Sequence, residues 1–196
     1  MKNIQSIALF CGSSAGNNPL YAQLAREFGK RCAQLGLTLY YGGGCIGLMG
    51  EAANAAMAYG GKVIGVAPDF FKKGPVLSEN ITQMIYVKTM GERKQLMETN
   101  ADAFVGFPGG YGTMDEIFEI ATDAQLGMHN KPVAIFNPNG FFDLLIEQLK
   151  HFRDEGFLRP MHHDIIITAT ELDELFSKLD NYSSSNDHSW FEKINR

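Results

Sequence analysis

The residues with the most chemical content lie between Phe107 and Glu119, in FPGGYGTMDEIFE, where three glycines and a threonine run into Asp115, Glu116 and Glu119. Gly110 and Gly112 let the backbone curl so that its amides converge. A helix opening at Thr113 would add free N–H groups and a favourable dipole, and together these suit a phosphate. The lysine and hydroxyl pair of a Walker loop is missing, which argues against a nucleoside triphosphate held with magnesium. Thr113-x-x-Glu116 also reads as a capping box, with each side chain on an orphan amide of the first turn. The apolar stripe of that helix is Ile117, Ile120, Ala121 and Ala124, so Asp115 and Glu119 are expected in solvent. Glu116 flanks the stripe beside the phosphate site, where a carboxylate could serve chemistry at a ligand.

A second cluster is MGERKQLMETN, from Met90 to Asn100. Arg93 shares a helical face with Leu96, Met97 and Asn100, while Glu92 falls outside it. An arginine on an inward stripe is either a snorkelling or structurally paired side chain, or a cation aimed with Lys94 at a phosphate or carboxylate. Both readings stand at this level.

The elements that must position these residues follow from hydrophobic periodicity. SIALF, TLYY, KVIGV, MIYV, AFVGF, VAIF and DIIIT are short, rich in branched or aromatic residues, and bounded by glycine, proline or polar residues, as strands are. Between them lie amphipathic stretches such as PLYAQLAREFGKRCAQLG and GFFDLLIEQLKHFRDEG, which stop at glycines. Apolar strands alternating with helices predict an α/β protein: a Rossmann-like, doubly wound, mostly parallel sheet of about seven strands with helices on both faces. One nucleotide-binding domain over residues 1–180 is expected. The polar tail over 181–196, with Trp190, Phe191 and Ile194 at helical spacing near its end, reads as a frayed end or a short docked helix.

Parallel sheets bind ligands outside the carboxyl ends of their strands. Three proposed strands run there into small residues: SIALF into CGSSAG with Ser13 and Ser14, TLYY into GGGCIGLMG with Gly43 and Gly44, and AFVGF into the loop Gly109, Gly110, Tyr111, Gly112, Thr113. Three such loops on one edge predict a surface where backbone approaches a ligand closely. The second loop holds a literal GxGxxG in Gly42, Gly44 and Gly47, with Asp69 past the next strand, so an NAD-type site is an alternative; tight strand–helix packing explains those glycines as well.

Composition narrows the function classes. The net charge of −5 lacks the basic excess that nucleic-acid backbone requires. The N-terminal apolar run is too short for a signal-peptide core or a membrane span, so a soluble, cytoplasmic protein is expected. Three cysteines without CxxC spacing read as reduced thiols. The pair His162–His163 is expected in solvent, and no metal site is predicted.

Taken together, CGSS, YGGGCIGLMG, GERK and above all PGGYGTMDE resemble the LOG family of cytokinin riboside 5′-monophosphate phosphoribohydrolases, whose signature is PGGxGTxxE. The similarity runs from about Ile7 to Phe157. It implies a homodimeric, Rossmann-like enzyme without a cofactor that takes a small-molecule nucleoside 5′-monophosphate and cleaves its N-glycosidic bond. By resemblance Arg93 and Glu116 are the catalytic pair, Lys94 and the run from Gly110 to Glu116 belong to the nucleotide site, and Thr122 is a further member. Gly91 and Thr89 depart from the family's common histidine and acid. The fold also resembles molybdenum-cofactor carriers, so a carrier without catalytic use of Glu116 is the other alternative.

Overall fold

The computed structural model describes Met1 and residues 4–183 of the chain; the expected tail helix with Trp190, Phe191 and Ile194 lies outside the described residues. Seven strands form one sheet in the order β4-β3-β2-β1-β5-β6-β7. They are β1 (Ser6–Phe10), β2 (Thr38–Tyr41), β3 (Lys62–Pro68), β4 (Gln83–Val87), β5 (Ala103–Gly106), β6 (Val133–Phe136) and β7 (Ile166–Ala169), and every pairing is parallel. Among the described residues five α-helices intervene, α1 (Pro19–Gln34), α2 (Gly47–Ala58), α3 (Met90–Asn100), α4 (Tyr111–Gln125) and α5 (Asp143–Asp154), and α6 (Leu172–Asp180) follows β7.

The chain winds outward from β1 to β4, then returns to lay β5 against the other side of β1. The expected doubly wound α/β fold is therefore the observed one, and its switch point falls between β1 and β5, where such sheets open a crevice. Alternation along β1 feeds two cores. Ile7 and Leu9 pack with Phe28 of α1, Leu48 of α2 and Phe176 of α6. Ala8 and Phe10 pack with Met97 of α3, Ile117 and Ile120 of α4, and Phe142. All five β1 residues are buried, which is why the strand reads as an unbroken apolar run.

Local signals decide the boundaries. Asn18 caps α1 by accepting from the Leu20 amide at 3.0 Å, and Pro19 follows it at the first helical position. The strand expected from Asp164 starts only at Ile166, because residues 160–165 coil into a 3-10 turn behind Pro160. In that turn His162 is buried rather than solvated, a correction that follows from its packing beside α4 and α5; burial, then the nearby Arg159 charge, lowers its pKa. Among the described residues no helix is long and apolar enough to cross a membrane, and no cluster of His, Cys, Asp and Glu is placed to hold a metal ion.

Candidate active site

Because β2, β1 and β5 are neighbours, their C-terminal loops meet at one edge. Backbone bonds tie them together: Gly12 N–H donates to Pro108 O at 3.0 Å, Leu48 N–H to Gly12 O at 3.1 Å, and Phe107 N–H to Phe10 O at 2.8 Å. Between them opens a cavity of about 230 Å³, walled by Cys11, Gly12, Ser13, Arg93, the stretch Gly110–Thr113, and Glu116. A neighbouring cavity of about 360 Å³ shares Gly12, Ser13 and Gly110, and adds Ser14, Gly109 and Phe141.

Helix α4 does not begin where its sequence suggests. Pro108 and the two glycines after it end the extended segment, Gly110 occupies the N-cap position, and the Met114 amide closes the first turn onto Gly110 O at 3.1 Å. No side chain caps this end, so the first amides of Tyr111, Gly112 and Thr113 border the cavity. The expected capping box therefore does not form. With the helix starting at Tyr111, Glu116 lies beyond the first turn, and its carboxylate instead meets Arg93: Nη2 stands 2.8 Å from Oε1. A capping arrangement of that type occurs at α3, where Thr89 accepts from the Glu92 amide at 3.0 Å and Glu92 returns to the Lys88 amide at 2.8 Å.

The Arg93–Glu116 pair is nearly dry, with side chains 12% and 7% exposed. Burial raises the Glu116 pKa to about 7 against the opposing pull of Arg93. Among the described residues Arg93 Nε is buried with no hydrogen-bond partner, and Nη1 stands 3.8 Å from the Met90 sulfur. An orphaned charged donor beside a cavity is a group prepared for a ligand oxygen or a water. Cys11, also on the wall, is held as a neutral thiol, its pKa raised by burial and then by the Glu116 charge.

The glycines divide into two kinds. A Cβ on Gly109 would strike the Thr113 hydroxyl, and one on Gly42 would strike the Arg93 guanidinium, so both are small to admit side chains of the site. Gly47, at φ +63°, lies against the Ser13 backbone, and Gly44 packs under Met49. The GxGxxG triad is thus occupied by internal packing, and Asp69 sits on an exposed 3-10 turn paired with Lys72, which leaves the dinucleotide reading without support. Gly43, at φ +79°, is covered by Met84. At Gly110 and Gly112, by contrast, an added Cβ would meet nothing within 4 Å.

Of the residues singled out in the sequence, Arg93, Glu116, Ser13, Gly110, Tyr111, Gly112 and Thr113 converge on one cavity, while Ser14 and Gly109 border its neighbour. Tyr111 is 97% exposed, so its ring has no intramolecular role. Asp115 and Glu119 face solvent as expected, with side chains 59% and 39% exposed, and Lys94 is turned to both. Thr122 lies nearly two turns beyond Glu116, donating to Phe118 O at 2.7 Å and lining a separate apolar cavity of about 420 Å³ near His162. Met49 and Leu9 complete the site wall. No pattern marked Met49 in advance, because a methionine in an apolar stretch looks like core.

A family model described as "Possible lysine decarboxylase" matches residues 49–179. The chain is 40% identical over 178 residues to "Probable cytokinin riboside 5'-monophosphate phosphoribohydrolase LOG6" of Arabidopsis thaliana, covering 91% of this chain and 89% of that protein. It is 40% identical over 176 residues to cytokinin riboside 5′-monophosphate phosphoribohydrolase LOG7 of the same plant, covering 90% and 81%. Among solved structures it resembles the molybdenum cofactor carrier protein of Chlamydomonas reinhardtii with a TM-score of 0.66 at 22% identity, over 90% of this chain and 96% of that one, a likeness of fold. The family model over residues 49–179 and the 40% identity along nearly the whole chain place this protein in the LOG family of phosphoribohydrolases, to which the "Possible lysine decarboxylase" description is attached.

Proposed function

We propose that the protein hydrolyses the N-glycosidic bond of an adenine-type nucleoside 5′-monophosphate, with or without an N6-prenyl group, releasing the free base and ribose 5-phosphate. The observation that carries this reading is the buried Arg93–Glu116 pair set behind the uncapped start of α4. The phosphate would sit against the Gly110–Thr113 amides, where the helix dipole favours an anion. Cleavage of a ribosyl–purine bond builds positive charge on the sugar, in an oxocarbenium-like transition state. The Glu116 carboxylate would stabilise that charge and take a proton from the attacking water, as carboxylates do in glycoside hydrolysis. A base with a pKa of about 7 is well matched to neutral pH. Arg93 would hold Glu116 in orientation through Nη2 and offer Nε to a substrate oxygen or to the water.

The fixed phosphate would orient the sugar, so its binding energy would serve the chemical step. Ser13 and Ser14 would border the ligand. The names of the relatives support the substrate class; a homodimer and a cytoplasmic setting belong to the proposal through the family resemblance alone. No lysine is among the described residues walling the cavity, which gives a Schiff-base decarboxylation no anchor there. A carrier on the same scaffold would need the loops but not a poised carboxylate.

The test is to incubate the wild type and Glu116→Gln with AMP and with isopentenyladenosine monophosphate and to follow free base by chromatography. Glutamine keeps the volume and can still accept from Arg93, so a melting curve should show a folded variant. Base release by the wild type and none by the variant is the expected result. Equal release by both would remove Glu116 from the chemistry, and release by neither would leave the carrier reading.

A further inference from the structure

Gly42 and Gly44 of the GxGxxG stretch are filled from inside the protein, and what fills them belongs to the site. A Cβ built on Gly42 would strike Arg93 Nη2 and stand 3.0 Å from the Met49 sulfur. One built on Gly44 would stand 3.2 Å from the Met49 methyl group. Met49 lies in the first turn of α2, and its side chain reaches both glycines at the cavity, where it shares a wall with Arg93 and Glu116. On α3 the Met90 sulfur stands 3.8 Å from Arg93 Nη1. Methionines from two helices therefore reach the guanidinium, with the Gly42 backbone against Nη2. The loop that carries Gly42 and Gly44 is itself fixed. Cys45 N–H donates to Val76 O and Ser78 N–H to Gly43 O, each at 2.9 Å, and Leu48 N–H donates to Gly12 O at 3.1 Å. Gly42 has no left-handed φ, so its backbone conformation does not explain why a side chain is missing there.

We propose that Met49 is a positioning residue and that Gly42 and Gly44 are small to build its slot: together they hold the Arg93 guanidinium with Nη2 on the Glu116 carboxylate and Nε left over for a ligand. A guanidinium carries five N–H donors and is usually aimed by the acceptors around it. Among the described residues Nε has no partner and Nη1 meets only a weak sulfur acceptor, so packing must do much of the aiming. A methionine suits that task. Its long, polarisable side chain fits an irregular gap, and its thioether does not compete with the carboxylate for the Arg93 donors. The slot also has a signature at Glu116. The charged and titratable groups around that carboxyl are Arg93 and Lys94 of α3, Asp115 and Glu119 of α4, and the Cys11 thiol after β1. Burial raises its pKa and Arg93 gives the largest opposing pull, so a guanidinium moved off the carboxyl lets the midpoint rise.

Met49 has a part in catalysis only if Arg93 and Glu116 serve the reaction, but the slot itself is tested without turnover. Gly42→Ala, Met49→Ala and Met49→Leu are each made with Arg93 in place and in an Arg93→Ala background, and the Glu116 carboxyl is titrated by its carbon-13 resonance. With Arg93 present, the two alanine variants should raise the midpoint by about half a pH unit or more. Met49→Leu, which keeps the volume, should leave it unmoved. Without Arg93 none of the three should move it, because no guanidinium is left to displace. The Gly42→Ala methyl should likewise lower the melting temperature less in the Arg93→Ala background than with Arg93 present. Equal shifts in both backgrounds would make Met49 a wall that only excludes water and would overturn the proposal. So would an unmoved midpoint with Arg93 in place, and Met49→Ala decides this by itself if Gly42→Ala does not fold. On AMP the alanine variants should lose about tenfold or more in kcat, while Met49→Leu stays within about threefold of the wild type. Should the wild type release no base, the functional reading fails by itself and the midpoints still decide the slot.

Discussion

Arg93 Nη2 lies 2.8 Å from Glu116 Oε1, yet the carboxyl is not held strongly acidic, because its burial outweighs the attraction of the guanidinium. The two residues sit on successive helices, α3 and α4, and reach each other across the cavity floor through the space left by the missing side chain of Gly42. A buried ion pair of this kind contributes little net stability, since desolvation offsets the Coulomb gain. In the proposed reaction its value is electrostatic and chemical: a proton acceptor whose pKa burial raises to about 7, beside an arginine with a spare donor.

The first prediction concerns the acid limb of the rate. Glu116 must be ionised to accept a proton from water, and burial raises its pKa to about 7. Base release from AMP should therefore rise with pH through about 7 and then level off. Glu116→Gln should lose roughly 10²–10⁴-fold in kcat, and whatever residual rate survives should lack this limb. A wild-type limb centred near pH 4.5, the ordinary value for a glutamate, would mean that another group governs the rate.

The second prediction separates the arginine's structural part from its chemical one. Arg93→Ala removes the only lowering influence that outranks the neighbouring acids, so the Glu116 pKa should climb further. A carboxyl whose folded pKa exceeds its unfolded value binds its proton more tightly in the native state. Stability is then greatest below the unfolded pKa of about 4.5 and falls as pH rises through the folded pKa. The variant should melt close to the wild type at pH 5.5 and well below it at pH 8.5. A melting deficit independent of pH would indicate lost packing of the arginine stem instead.

The fold was legible in the sequence because short apolar runs alternate with helices, as a covered parallel sheet requires; its central strands β1, β5 and β6 are buried at every residue, and the placement of β1, β2 and β5 then brings their loops together. Arg93 was legible as a charge on an inward stripe and Glu116 as a carboxylate flanking one, each with a structural and a chemical reading open until the family resemblance joined them. Three local features were not. The two glycines of PGG let α4 begin at Tyr111, so that the Thr113 and Glu116 spacing, correct for a capping box, falls three residues too deep in the helix. The partners of Lys94 depend on the angle between α3 and α4, which no spacing within either helix encodes. Met49 and Cys11 enter the wall only because α2 and β1 end beside it.

A third prediction uses the cysteines as reporters of packing. Cys11 and Cys32 are buried and their thiols are pushed up by desolvation, whereas Cys45 is half-buried with its sulfur 3.4 Å from Pro75 O. Only thiolate reacts readily with disulfide reagents. Native protein should yield one thiol quickly and all three after denaturation. Rapid reaction at Cys11, identified by peptide mapping, would mean that the cavity wall opens in solution. Protection of that residue by AMP would then locate the ligand.

The last prediction tests whether the glycine loop is shaped for folding or for a ligand, because its members should respond in opposite ways. Gly109 faces the Thr113 hydroxyl and the Gly12 amide, so Gly109→Ala is overpacked and should cost about 1–3 kcal/mol of stability. Gly112 is in the first turn of α4 with open space before it, and there alanine should stabilise the helix by up to about 1 kcal/mol. Gly110, at φ −104° and ψ −148°, needs no left-handed conformation, so its alanine variant should fold normally. If the open space above Gly110 and Gly112 is where the phosphate rests, a methyl group at either position must intrude on it. Gly112→Ala should then melt at or above the wild-type temperature and Gly110→Ala, at the N-cap, should lose no more than about 1 kcal/mol, while for both KM for AMP rises at least tenfold and turnover of adenosine, which lacks the phosphate, changes little. Loss of AMP affinity only in step with loss of stability would assign these glycines to the fold and leave the phosphate to be held elsewhere on the loop edge.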